Sequence, residues 1–220
     1  MSHLHIPDDI LSPFIWVSGY LVTFVILYLI LKKGESDSLR QKIPFTGIAA
    51  ALMLIAMSVP LGIIPVHLSL ASLTAILLGP GLGFLAVFSV NIILALVGHG
   101  GITLVGINTL VIGTEVFISS FLFRKVLIKM GIMSRTFLSV SLALIVSVAL
   151  MVLIFMTAFG TGGEMPFHIH NDHHIENQNE SFGEFALLGS IVLFGIFIEG
   201  MATSLIVRYF SKVRPDIISK

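Results

Sequence analysis

Apolar runs occupy roughly residues 13–31, 44–60, 68–78, 82–97, 103–123, 136–159 and 185–207, separated by short polar or Gly/Pro-rich breaks. Each run is apolar on all faces, without the one-sided stripe of a helix resting on a water-soluble core. A hydrocarbon core of about 30 Å takes roughly 20 apolar residues of helix to cross. The pattern therefore predicts an all-α polytopic membrane protein of about seven transmembrane helices, with residues 1–220 forming a single integral membrane domain. Ser12 with Pro13 reads as a helix start, while Gly79-Pro80-Gly81 and Gly98-His99-Gly100-Gly101 read as turns. No soluble domain, coiled coil or long internal repeat is visible.

The third run is too short. Residues 67–78 would cover only about 18 Å as a helix, so if the Gly79-Pro80-Gly81 turn is at one surface, His67 lies well inside the membrane. Residues 60–66, with Gly62 and Pro65, then form a non-helical stretch dipping in from the other surface. Irregular backbone at that depth survives only when buried in protein or lining a polar cavity. The short helix therefore predicts a site near His67.

Composition agrees with this class: the chain is 56% hydrophobic and 11% charged, with a mean hydropathy of +1.04. Twelve basic and twelve acidic residues cancel, which argues against a nucleic-acid partner, since phosphate binding needs clustered cations. The cations are segregated into three blocks: Lys32, Lys33, Arg40 and Lys42; Arg124, Lys125, Lys129 and Arg135; Arg208, Lys212, Arg214 and Lys220. By the positive-inside rule these blocks are cytoplasmic. Seven spans then put the N-terminus outside and the C-terminus inside a cell (plasma) membrane. The outer segments, residues 1–12, 60–67, 98–102 and 161–184, hold no Lys or Arg but contain Asp8, Asp9, Glu164, Asp172, Glu176, Glu180 and Glu184. The first helix lacks a preceding basic region and a following cleavage site, so it reads as a retained span.

With no cysteine in the chain, any metal chemistry must use nitrogen and oxygen. His67 is the first candidate, since ionisable groups inside a membrane are expensive; the plainer reading is a histidine bonded to a nearby carbonyl. His3 and His5 lie on an N-terminal segment, residues 1–12, long enough to reach the depth of His67; taken alone they are ordinary surface residues. A free amine, backbone amides and imidazoles form a nitrogen-rich set whose square-planar geometry favours nickel(II) or copper(II), with cobalt(II) also compatible. Removal of Met1 would place that amine on Ser2. A second cluster, His168, His170, His173 and His174, lies in an outer loop over residues 161–183. It reads either as a solvated tract or as a low-affinity metal collector. Glu115 and Glu199 sit within apolar runs, as interhelical hydrogen-bonding groups or as proton carriers. Gly47 and Ala51 form a small-residue surface suited to close helix contact, within the subunit or with a partner. The chain has no GxxxxGK[ST] phosphate loop, HExxH pair or GxSxG elbow, so it reads as a non-enzyme that needs an ion gradient or another subunit to drive transport.

Several of these residues together resemble the CbiM/NikM family. They are His5-Ile6-Pro7-Asp8, the segment 60–67, His99-Gly100-Gly101-Ile102-Thr103 followed by Gly106 and Asn108, and Glu199-Gly200. Members of that family are the metal-binding membrane subunits (S components) of energy-coupling-factor importers for nickel and cobalt. The resemblance covers nearly the whole chain outside the His-rich insertion. It implies that the N-terminal segment enters the helical core, where a terminal amine, the adjacent histidine and a histidine matching His67 hold the transported nickel(II) or cobalt(II). The Ile-Pro-Asp form leans towards nickel. Asp8, His99, Thr103, Asn108 and Glu199 are expected beside the ion, supporting its ligands or ordering the N-terminal segment and loops, and not as direct ligands. Expected partners are a transmembrane coupling protein and cytoplasmic ATP-binding subunits, with room for a further small membrane subunit.

One departure from the family pattern stands out. The family histidine directly follows the initiator methionine, whereas Met1-Ser2-His3-Leu4 precede His5 here. Either His5 keeps the family place, with His3 substituting for the amine, or the Ser2 amine and His3 rebuild the set two residues earlier. Both readings keep His67. The alternative from another class is a proton-coupled secondary metal transporter using Glu115 and Glu199.

Overall fold

The computed structural model describes residues 11–33, 42–58, 67–159 and 178–214. Within them the chain is helical throughout its regular structure. The helices are α1 (Pro13–Lys33), α2 (Ile43–Ser58), α3 (Ala71–Leu78), α4 (Pro80–Leu96), α5 (Val105–Phe121), α6 (Ile132–Phe159) and α7 (Gln178–Val213), with a π-helical turn over Leu122–Val126. The expected seven helices are present. Four stretches, Pro13–Lys32, Val105–Val126, Ile132–Thr157 and Gly189–Val213, are long and apolar enough to cross a membrane unaided. The shorter apolar helices α2 and α4 have 16 and 17 residues, and α3 has only 8, about 12 Å of rise. The protein is a multi-pass membrane protein.

Sequence and structure differ at several boundaries, each for a local reason. The expected helix over residues 68–78 begins only at Ala71, because Leu70 is left-handed and the Ser69 and Leu70 amides are both given to the Glu199 carboxyl of α7. The turn expected over Gly79-Pro80-Gly81 contracts to Gly79 alone: its φ of 98° reverses the chain, and Pro80 already starts α4. Proline suits that first helical position because its missing N–H has no partner to lose. Pro13 starts α1 in the same way, with the Ile15 N–H reaching the Ser12 carbonyl at 3.0 Å. α6 starts at Ile132, earlier than the expected 136. Arg135 is held there, donating from Nε to the Phe123 carbonyl with its guanidinium 4.0 Å from the Phe123 ring centre. α7 starts at Gln178, inside the loop expected over residues 161–183, and runs on to Val213. A polar helical end is invisible to a search for apolar runs.

α5 is the central post. Its buried residues include Asn108, Thr109, Val111, Ile112, Glu115 and Val116, and it packs against α1, α3, α4 and α6. One core, with Met53, Ala75, Phe84, Val87, Val90, Ile112 and Val116, joins α2, α3, α4 and α5. A second, with Leu73, Ile76, Phe123, Val140, Leu144 and Val207, joins α3 to α6 and α7. Lipid is as apolar as these side chains, so the helices are held by close packing and interhelical hydrogen bonds instead of by a hydrophobic drive. Asn91 donates from Nδ2 to Thr109 Oγ1 at 3.2 Å between α4 and α5, and Ser147 Oγ donates to the Val111 carbonyl at 2.8 Å between α6 and α5. Large apolar side chains such as Phe14, Leu21, Val25, Leu153, Met156 and Leu193 are exposed, as expected of a surface that a bilayer covers. Gly47 is not used for packing among the described residues, since a Cβ there would meet none of their atoms within 4 Å.

The cation blocks meet at one end of the bundle. Gly81 lies against Ile30, two residues before Lys32. Arg124 Nη2 donates to the Ile76 carbonyl at 3.0 Å near the end of α3, Arg135 reaches Phe123, and Arg208 Nη1 lies 3.5 Å from Met133 Sδ. The Gly79 turn and the described cations thus share a face, in line with the charge reading of topology.

Candidate functional site

The chain enters α3 through His67, Leu68, Ser69 and Leu70. Leu70 is left-handed, with φ 52° and ψ 11°, and is the one non-glycine residue with positive φ among the described residues. That conformation costs a branched residue about 1–2 kcal/mol, so its surroundings must hold it. They also have to satisfy the amides at the start of α3, which have no intrahelical partner and, at this depth, no bulk water.

Two carboxyls from distant helices meet both needs. Glu199 of α7 accepts the Ser69 N–H at Oε2 and the Leu70 N–H at Oε1, both at 3.1 Å. Glu115 of α5 accepts the Ser72 N–H at 3.0 Å and the Ser72 hydroxyl at 2.8 Å, both at Oε1. The Ala71 N–H between them donates to Ser69 Oγ at 3.2 Å. Ser69 Oγ in turn lies 2.6 Å from Glu199 Oε1 and 3.0 and 3.1 Å from Glu115 Oε1 and Oε2. Four consecutive amides, 69 to 72, are thereby taken up by two carboxyls and a hydroxyl. Both carboxyls are buried, Glu115 at 0% and Glu199 at 4% exposure, and the first turn of α3 turns its positive dipole end towards them. Glu115 lies ten residues into α5, about 15 Å along its axis, so the clamp is deep in the bundle. His67, partly buried, stands two residues before the clamped serine.

The other expected residues fall into three groups. Asn108 is buried at 2% exposure in the first turn of α5, with its N–H on the Leu104 carbonyl at 2.8 Å; Thr103, partly buried, lies just before it. His99 is exposed in the α4–α5 connection, where its N–H caps α4 on the Leu94 carbonyl at 2.8 Å. Leu11 is buried with Leu104, Ile107 and Val111, with Ile15, Trp16, Met151 and Phe155 packed around them. The first described residue is therefore anchored beside the start of α5. Met1, Ser2, His3, His5 and Asp8, and likewise His168, His170, His173 and His174, lie outside the described residues. Among the described residues no three His, Asp or Glu side chains gather to hold a metal ion.

Sequence reading found both glutamates but missed their common target. Ser69 and Ser72 carried a signal that could have been used: two hydroxyls flank the start of a helix too short to span. Nothing local says that Glu115 and Glu199 reach them.

Comparison with known proteins gives a consistent picture. Residues 5–217 match the model of a family described as CbiM, cobalt uptake substrate-specific transmembrane region. A proposed metal transport protein of Haloquadratum walsbyi is 30% identical over 223 residues, covering 98% of this chain and 93% of that one. Two solved structures share the fold. One, a truncated transition metal transporter, aligns with a TM-score of 0.70 at 22% identity over 95% of this chain and 99% of its own. The other, a transition metal transporter, aligns with a TM-score of 0.69 at 23% identity over 95% and 93% respectively.

Proposed function

The chain belongs to the CbiM family of cobalt uptake transmembrane regions, a membrane component of metal uptake, and from that premise we propose that it captures nickel(II) or cobalt(II) on the outer side for ATP-driven import by partner subunits. The observation that carries this reading is the interrupted α3. A helix of 8 residues is too short to cross the bilayer core, and the non-helical backbone at residues 67–70 ahead of it is braced by groups from α5 and α7. Such a break in a bundle is where a membrane protein places a ligand.

His67 supplies one imidazole to the ion. The N-terminal segment supplies the rest, from His3 and His5 or from His3 and the Ser2 amine. The anchoring of Leu11 beside Leu104 and Ile107 supports a segment that starts from the α5 end opposite the cations. Asp8, His99, Thr103 and Asn108 order that segment. All-nitrogen donors suit nickel(II) and cobalt(II) better than magnesium or calcium, which prefer oxygen. The driving subunits are a transmembrane coupling protein and cytoplasmic ATP-binding proteins, with room for a small additional membrane subunit. Uptake of nickel or cobalt into vesicles should require the coupling protein and ATP. Uptake by this chain alone, abolished by a proton ionophore, would instead establish a proton-coupled carrier.

Proton coupling has one observation in its favour, the buried Glu115–Glu199 pair. Both carboxyls are, however, committed to backbone amides of one turn, which suits bracing better than cycling.

The histidines at 168, 170, 173 and 174 act as a low-affinity outer collector. Deleting residues 166–178 should slow uptake when metal is scarce and leave it unchanged in excess metal, measured as initial rates at both concentrations. Complete loss in excess metal would contradict a collector.

A further inference from the structure

The hydrogen bonds between Glu115, Ser69 and Glu199 can be balanced by counting protons. A serine hydroxyl has one hydrogen to give and two lone pairs to receive. Ser69 Oγ has four close contacts: the Ala71 N–H at 3.2 Å, Glu199 Oε1 at 2.6 Å, and both Glu115 oxygens at 3.0 and 3.1 Å. If both carboxyls were ionised, the single hydroxyl hydrogen could satisfy one of them, and the other would press lone pairs against the serine oxygen. Away from bulk water, that mismatch is expensive.

The surrounding donors decide which carboxyl is which. Glu199 already accepts two backbone amides, one on each oxygen, and has the shortest contact with the serine. It is furnished as a carboxylate. Both Ser72 donors fall on Glu115 Oε1, leaving Ser69 Oγ as the hydrogen-bonding neighbour of Glu115 Oε2. The arrangement that closes is Glu115 Oε2–H to Ser69 Oγ, and Ser69 Oγ–H to Glu199 Oε1. The remaining serine lone pair then takes the Ala71 N–H.

We infer that Glu115, as a neutral acid, and Glu199, as a carboxylate, are positioning residues joined through Ser69, and that this ordered bridge sets the turn that places His67 for the transported ion. The inference rests on the reading of His67 as a metal-contacting residue. The two glutamates are consequently not equivalent, although both are buried acids on apolar helices. Glutamine reproduces a neutral acid, with its oxygen accepting from Ser72 and its NH2 donating to Ser69. At position 199 the same change turns an NH2 group towards a backbone N–H.

The test combines infrared spectroscopy of the metal-free, full-length protein at neutral pH with equilibrium dialysis against nickel(II) and cobalt(II), using wild type, E115Q and E199Q. A carboxylic-acid C=O band is expected in the wild type, absent in E115Q and retained in E199Q. E115Q should bind metal within a few-fold of wild type, and E199Q about 10-fold or more weakly, the scale expected for losing a group that orients a ligand. A wild-type spectrum without that band, a band surviving in E115Q, or equal losses of affinity in the two variants would overturn the inference. If E199Q does not fold, S69A takes its place, since it removes the bridge and keeps both carboxyls; unchanged metal affinity in S69A would overturn the positioning role. Failure of the wild type to bind either metal would refute the metal reading, and with it the role assigned to His67, whereas the infrared assignment is decided independently.

Discussion

Replacing His67 with alanine should abolish high-affinity nickel or cobalt binding and leave the fold intact. The clamp on α3 uses the backbone and hydroxyls of residues 69–72, not the His67 imidazole, so the helix start survives the truncation. The ion, by contrast, would lose one of a small number of nitrogen donors. Losing a partner that merely orients a ligand costs about 10–100-fold in metal affinity, and losing the ligand itself should cost at least the upper end of that range. The measurement is metal content after dialysis of protein purified with an untagged N-terminus, alongside thermal unfolding to confirm the fold. Stoichiometric metal retained by His67→Ala would remove His67 from the site. His3→Ala and His5→Ala, made separately, distinguish the two arrangements of the N-terminal donors: His3→Ala should weaken binding in either, and His5→Ala only where His3 and His5 are the donors. Unchanged affinity in both would show that this segment contributes no donor.

The elements legible in the sequence are those set by local chemistry. A long apolar run needs no partner to be read as a span, and α1, α5, α6 and α7 were found on that basis. The short helix before Gly79 was legible because its length conflicts with the membrane's thickness. What stayed hidden depends on contacts between remote positions. The onset of α3 at Ala71 is dictated by Glu115 and Glu199, which reach Ser69 across 46 and 130 residues. No propensity at residues 68–70 foretells a left-handed leucine, since Leu70 adopts it only in the grip of Glu199. The same two glutamates looked interchangeable in sequence and become different only once their donors are known. The Gly47–Ala51 surface shows the converse: a suggestive local pattern that the described part of the chain does not use.

Gly106 is where packing, not ligation, should be most intolerant. A Cβ at this position would lie 2.6 Å from the Tyr20 backbone nitrogen and 2.8 Å from both the Gly19 carbonyl carbon and Tyr20 Cα. These are backbone atoms of α1, which cannot rotate aside as a side chain could, so α1 and α5 would have to separate. The crossing is also fastened by polar bonds: Thr23 Oγ1 donates to the Gly106 carbonyl at 2.9 Å, and the Tyr20 hydroxyl donates to the Ile102 carbonyl. Because membrane helices gain little from apolar burial against lipid, loss of close approach is not repaid by a hydrophobic term. Gly106→Val should therefore destabilise the protein by on the order of 3 kcal/mol or more, the severe end of overpacking. It should also weaken metal binding, because α1 carries the N-terminal segment and Leu11 packs against Leu104 and Ile107 beside this crossing. Gly47→Val is the matched control, since the same side chain would meet none of the described residues from α2 and should change stability by no more than about 0.5 kcal/mol. Unfolding of both variants in the same detergent measures the difference. If Gly106→Val unfolded with Gly47→Val, α1 and α5 could not be crossing at van der Waals contact, and the N-terminal segment would have to approach His67 from a differently placed helix.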